Sequence, residues 1–380
     1  MTRTVVNGRL VLGNGVASGR IAVEDGWIAT VESDAVEPLE TGSDDPLIAP
    51  GFVDVHVHGG GGHDAMAGPG ALDGMARYLL GHGVTSFLPT AVSAPIARLG
   101  TFADDVRAWL PTAPADGAAP LGFNLEGPFL AAVRRGAHDP TALRVPADVP
   151  LTDLERLVDG LRLITIAPEL AGAIELISWL VQRGVAVSLG HSAATLDEAR
   201  AGYAAGALGT THLFNAMSGV HHHRPGLAVA ALTDDRVHAE LIADGQHVDR
   251  SLWPIIARSK PDGRLVLVSD ALALAGLGDG RTTLGGLEVE VVGQQATLLG
   301  TSTLAGSVIA LDAAVRNLVR SGLNLPFAVA AASRNPLALI GVTDRGRLEA
   351  GQRADLVELD GELRVRRVMR AGSWFAGAAA

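Results

Sequence analysis

Eight short apolar runs recur through the middle of the sequence, and most of them carry a histidine or an acid at or near the end. They begin at Gly51 (GFVDVHVH), Val84 (VTSFLPTAV), Pro120 (PLGFNLEG), Leu161 (LRLITIAPE), Val185 (VAVSLGHS), Gly209 (GTTHLFNAM), His238 (HAELIADG) and Leu265 (LVLVSDAL). A strand with no polar face is buried on both sides, as in a parallel sheet covered by helices. The starts lie 24 to 41 residues apart, and the intervening segments, such as LDGMARYLLGHG, carry helical spacing. Eight strand-helix units in ~250 residues predict an α/β chain built on a (β/α)8 TIM barrel.

The two ends have a different texture. Residues 1–50 and 341–380 alternate in strand fashion, with Asn7-Gly8, Asp25-Gly26 and Asp360-Gly361 as hairpin signals. These ends predict one small β-sandwich made from both termini, with the barrel over 51–340. A length of 380 residues fits one large and one small unit.

In a barrel the C-terminal strand ends converge, so residues far apart in sequence become neighbours there. His56 and His58, two apart on one strand, share a face and can clamp one ion. Glu126, His191 and His212 each end a further run. One carboxylate and two imidazoles form the ligand set of a catalytic zinc or iron site. The chain has no cysteine, so any metal is held by histidine and carboxylate. Asp270 ends the eighth run, where a shielded carboxylate can act as general base toward water. His138 and His247 stand in loops after the third and seventh runs, placed to meet a substrate. His221, His222 and His223 precede Arg224 in a loop suited to contact an anion.

Lys and Arg number 30 against 41 Asp and Glu, a net charge of −11, which argues against a nucleic-acid or anionic-membrane surface. The N-terminus lacks the unbroken apolar stretch of a signal peptide and no segment reads as a membrane span, so a cytoplasmic location is expected.

The motifs PGFVDVHVHGGGG, LEGPF, GAHDP, SLGHSAAT, THLFNAM, RPGL, ADGQHVD, SDALALAG, STLAGS and GRLEAGQRADLVELD together resemble the N-acetylglucosamine-6-phosphate deacetylase family of the amidohydrolase superfamily. The resemblance implies a metal-dependent barrel with a β-sandwich from both ends, working as a homodimer. It also implies one or two divalent ions per subunit, zinc first, with iron or another ion as alternatives. Glu126, His191 and His212 would hold the principal ion, and His56 and His58 a second one bridged by Glu126. Asp270 would be general base and then acid, and His138 would polarise the acetamide carbonyl. Ala137, Asn215, Ala216, Asp244, His247, Leu304, Ala305 and Gly306 would line the site for a small amino-sugar phosphate. Where the family places a phosphate-gripping Arg, this chain reads His223-Arg224, so that Arg is either shifted by one position or replaced by His. The alternative substrates are another N-acetylated sugar, the galacto epimer or an unphosphorylated form.

Overall fold

The computed structural model describes residues 3–36, 45–260 and 263–378. Eight parallel strands pair in chain order: β1 (Phe52–Val57), β2 (Val84–Val92), β3 (Phe123–Glu126), β4 (Leu161–Ile166), β5 (Ala186–Leu189), β6 (Gly209–Thr210), β7 (His238–Leu241) and β8 (Leu265–Leu267). They are the eight apolar runs in the same order. β2 is buried at every position, as a strand with helices on one side and the barrel interior on the other must be. The barrel is nearly closed where β8 returns to β1: the Asp270 N–H donates to the His56 carbonyl (2.9 Å) and the Ser269 N–H to Asp54 Oδ1 (3.4 Å).

Each strand is followed by a helix: α1 (Pro69–Gly81), α2 (Ile96–Trp109), α3 (Leu151–Val158), α4 (Ala173–Val181), α5 (Leu196–Ala204), α6 (Leu227–Thr233), α7 (Trp253–Ser259) and α8 (Leu311–Arg320). Local sequence explains several of the starts. Pro occupies the first turn of α1 and α7, where its missing N–H costs no hydrogen bond. Thr195 and Glu198 form a capping box at the start of α5. The apolar helix faces pack onto the outer side of the strands in one large cluster that includes Phe87, Phe102, Phe123, Ile177 and Trp253. The short helix Arg334–Leu339 closes the opposite end, where Asn335 donates to the Leu265 carbonyl at the start of β8 (2.7 Å).

Strands Arg3–Leu12, Gly15–Glu24, Trp27–Ser33 and Leu47–Pro50 from the N-terminal part join Leu356–Leu359, Val365–Arg370 and Ser373–Ala376 in one seven-stranded sheet. Its seam is the antiparallel pairing of Leu47–Pro50 with Leu356–Leu359, and it has its own core around Leu10, Ile21, Ile48 and Met369. Turns fall at Asp25-Gly26 and Asp360-Gly361 as the sequence indicates. Asn7-Gly8 does not turn. It lies inside the first strand, opposite Arg20 and Gly19, and the hairpin closes at Gly13-Asn14. A side chain at Gly8 would sit 2.6 Å from the Pro46 carbonyl, so this glycine serves the close approach of a neighbouring strand.

None of the eight runs corresponds to a three-stranded antiparallel sheet, Gly280–Leu284, Leu287–Val292 and Gln295–Leu298, inserted between β8 and α8. Its first turn is Gly285-Gly286, both with positive φ, the pattern of a two-residue hairpin. Val289, Val291 and Ala296 pack it against Val92, Leu272 and Ala305, so it stands over the C-terminal mouth of the barrel.

Candidate metal centre and active-site cavity

The strand ends deliver the ligands to one point. Glu126, the last residue of β3, lies at its centre with one oxygen facing each side. Its Oε1 is 2.9 Å from His191 Nε2 and 2.8 Å from His212 Nε2, and these two nitrogens are 3.1 Å apart. Its Oε2 is 3.1 Å from His58 Nε2 and 3.6 Å from His56 Nε2. Asp270 Oδ1 completes the second side, 3.1 Å from His58 Nε2 and 3.6 Å from His56 Nε2. Two groups result, His56/His58/Glu126/Asp270 and Glu126/His191/His212, each with ligand atoms within 4.8 Å of one another. All six side chains are buried.

Hydrogen bonds at the far ring nitrogen decide which lone pairs face inward. His191 Nδ1–H donates to the Arg134 carbonyl (2.8 Å), His58 Nδ1–H to the Thr90 carbonyl (3.1 Å) and His56 Nδ1–H to Glu240 Oε2 (3.1 Å). With the proton assigned to Nδ1, each Nε2 presents a bare lone pair to a carboxylate. Lone pair against carboxylate repels unless a cation lies between them, and His56 Nε2 and Asp270 Oδ1 are buried with no hydrogen-bond partner. The donor set therefore fits a divalent metal ion. The acidity of the groups expresses the same demand for positive charge. Burial pulls the His58 imidazolium down, but its contacts with Asp270 and Glu126 hold it up at about 9. Burial pushes the Glu126 carboxyl up, and the surrounding imidazoles, His138 and His56 foremost, bring it well below the ordinary range.

His138 touches the same carboxylate, Nε2 to Glu126 Oε2 at 3.3 Å. Burial draws its imidazolium down to about 4, so it is neutral near pH 7. The Ser93 N–H donates to its Nδ1 (3.3 Å) and the Ser93 hydroxyl lies 2.9 Å from the same atom; with Nδ1 assigned as the acceptor, the ring proton sits on Nε2, facing Glu126 and the cavity.

A family model of amidohydrolases matches residues 47–375, most of the chain. The chain belongs to the amidohydrolase family. It is 39% identical over 370 residues to an N-acetylgalactosamine-6-phosphate deacetylase of Escherichia coli O157:H7, covering 92% of this chain and 96% of that one. It is 41% identical to an N-acetylglucosamine-6-phosphate deacetylase of Homo sapiens, over 88% of this chain and 85% of the relative. Among solved structures, the N-acetylglucosamine-6-phosphate deacetylase of Thermotoga maritima superposes with a TM-score of 0.90 at 33% identity, covering 98% of this chain and 100% of that one. A mutant deacetylase of Mycobacterium smegmatis in complex with N-acetyl-D-glucosamine-6-phosphate gives 0.90 at 34% identity, over 98% and 99%.

In this amidohydrolase His58, Glu126, His191, His212 and Asp270 open onto a cavity of about 430 Å³ lined also by Ala137, His138, Asn215, Ala216, His247, Leu304 and Gly306, with His56 buried behind them. These seven are sequence-indicated positions that the fold gathers. Ala305 between them is fully buried in the cluster beneath the inserted sheet. Asp244 lies behind His247: its Oδ2 accepts from His247 Nδ1 (2.7 Å), and its Oδ1 accepts the backbone N–H of Gln246 and His247. Arg224 lines an adjoining pocket of about 750 Å³ that it shares with Arg134 and Asp197, and His223 lines neither space. Arg134 is the single Lys or Arg lining the ligand cavity itself, among the described residues.

Several ligands sit on uncommon backbone. His191, His212 and Asp270 have φ of 45°, 27° and 51°, a left-handed conformation that ordinary residues avoid. It turns each side chain inward at the point where its strand stops. The residues behind the ligands, Thr90, Ser93 and Glu240, carry no motif of their own. Glu240 left one signal, a carboxylate in the middle of the apolar run HAELIADG.

Proposed function

We propose that this amidohydrolase removes the acetyl group of N-acetylglucosamine 6-phosphate, giving acetate and glucosamine 6-phosphate, with 51–340 as the catalytic unit. The observation that carries this reading is Glu126 joining two buried ligand groups beside Asp270 and a neutral His138, in a chain similar to such deacetylases over most of its length. His56, His58, Glu126, His191 and His212 would hold one or two divalent ions, zinc foremost given the nitrogen and oxygen donors. Such an ion acidifies water and polarises an amide oxygen.

The chain's own groups supply the rest. Asp270 accepts the proton of the attacking water. His138 Nε2–H donates to the amide oxygen as it gains charge, from a ring that Ser93 holds in place. Asp270, now protonated, gives its proton to the departing nitrogen, which otherwise leaves as a poor amide anion. His247, held by Asp244, and Asn215 face the sugar.

The test is turnover of N-acetylglucosamine with and without its 6-phosphate. A charged hydrogen bond is worth ~1.5–3 kcal/mol, so the phosphorylated sugar should be favoured by about 10- to 100-fold in kcat/KM. Equal values would remove the phosphate from the assignment. The similarity to a galactosamine-6-phosphate deacetylase keeps the galacto epimer as a second reading, and the same assay with that sugar compares the two.

The phosphate itself points to Arg134, the permanent cation on the cavity wall, whose guanidinium is exposed and makes no hydrogen bond or ion pair with the described residues. Arg134→Ala should raise KM for the 6-phosphate substrate about 10-fold or more while leaving kcat/KM for the unphosphorylated sugar unchanged. The backbone carbonyl that orients His191 survives the substitution. If Arg224→Ala reproduces this effect and Arg134→Ala does not, the phosphate belongs at the adjoining pocket.

A further inference from the structure

We infer that Glu240 is a positioning residue for the His56/His58 ion site, anchored on the same turn that carries His212. This rests on the metal centre of the proposed function and goes beyond it. Glu240 lies on β7, outside both ligand groups, and is wholly buried. One of its oxygens serves both sides of the centre. Oε2 is 3.1 Å from His56 Nδ1 and also accepts the His212 backbone N–H at 3.2 Å. The Glu240 backbone carbonyl accepts the next amide, Leu213 N–H, at 2.8 Å. Two consecutive amides of the left-handed His212 turn are thus pinned by one residue, which also orients the imidazole of the other side.

The chemistry follows from that geometry. A carboxylate behind a ligating imidazole fixes the tautomer with Nε2 bare and makes that nitrogen a stronger donor. It also adds charge. Glu126, Asp270 and Glu240 bring three carboxylates into one buried cluster, and the raised Asp54 beside them is a fourth carboxyl. One divalent ion leaves part of that negative charge uncompensated, and a second ion offsets more of it. Glu240 belongs to neither ligand group, so its charge favours the second ion through His56.

The experiment is ion titration of the full chain and of Glu240→Gln and Glu240→Asp, with bound metal measured by elemental analysis and melting temperature recorded without metal. The parent should take up two ions per chain. Glu240→Gln should weaken the second ion about 10- to 100-fold, the range for losing such a partner, and leave the first within a few-fold. Glu240→Asp, which keeps the charge, should bind the second ion more tightly than the Gln variant. The inference is overturned if the parent binds one ion, if the Gln variant binds two with unchanged affinity, or if it loses both together with a lowered metal-free melting temperature. These outcomes are separate from the deacetylase reading: a parent that binds two ions and releases no acetate sinks that reading and leaves Glu240 in its role.

Discussion

Asp270→Asn is expected to lower kcat by about 100- to 10,000-fold, the usual contribution of a positioned general base, with the fold and one ion site retained. Asn matches Asp in shape and tolerates the left-handed backbone that Asp270 adopts, with φ of 51°. The main-chain bonds at this position, N–H to His56 and carbonyl from Ser307 N–H, do not involve the side chain. What disappears is the ability to take a proton from water and return it to the amine nitrogen. The group formed by Glu126, His191 and His212 does not include Asp270, so its ion should remain. Rate and metal content measured on one preparation decide the matter, and a variant within 10-fold of the parent (~1.4 kcal/mol) would show that another group moves the proton.

Glu126→Gln should empty both ion sites at once. No other side chain belongs to both ligand groups, and its two oxygens meet His58, His138, His191 and His212 within 3.3 Å. A neutral amide offers one oxygen where the carboxylate offers two, and its NH2 would face an imidazole. Removing metal assistance costs several kcal/mol of barrier, so the rate should fall about 1,000-fold or more. Bound metal after dialysis should drop to background for every divalent ion tried. Retention of one ion per chain would mean that His191 and His212 suffice, and Glu126 would lose its place as the bridge.

The barrel was legible because its strands are buried on both faces, which turns each into a largely apolar run of its own. The ligands were legible because they end those runs, where packing gives no reason for a histidine or an acid. What lay behind them was hidden for the same reason. Glu240 sits within a strand, and its meaning depends on His56 from a strand 184 residues away. Thr90 meets His58 through its carbonyl and Ser93 meets His138 partly through its N–H, groups that carry no sequence signature. Arg134 ends a single helical turn, Ala132–Arg134, and only the cavity shows that it is the cation on that wall. The Asn7-Gly8 pair misled because a glycine required by a close strand looks the same as one required by a turn. The sheet inserted before α8 escaped because its residues fit no helix-strand alternation, although Gly285-Gly286 marked its first bend.

The left-handed backbone at His191, His212 and Asp270 carries a further implication. Each such residue costs ~1–3 kcal/mol that glycine would not, so the three positions together hold the fold below the stability it could reach without them. Exchanging one of them for glycine would relieve backbone strain and take away a group that lines the metal centre, so the strain is tied to the chemistry of the site.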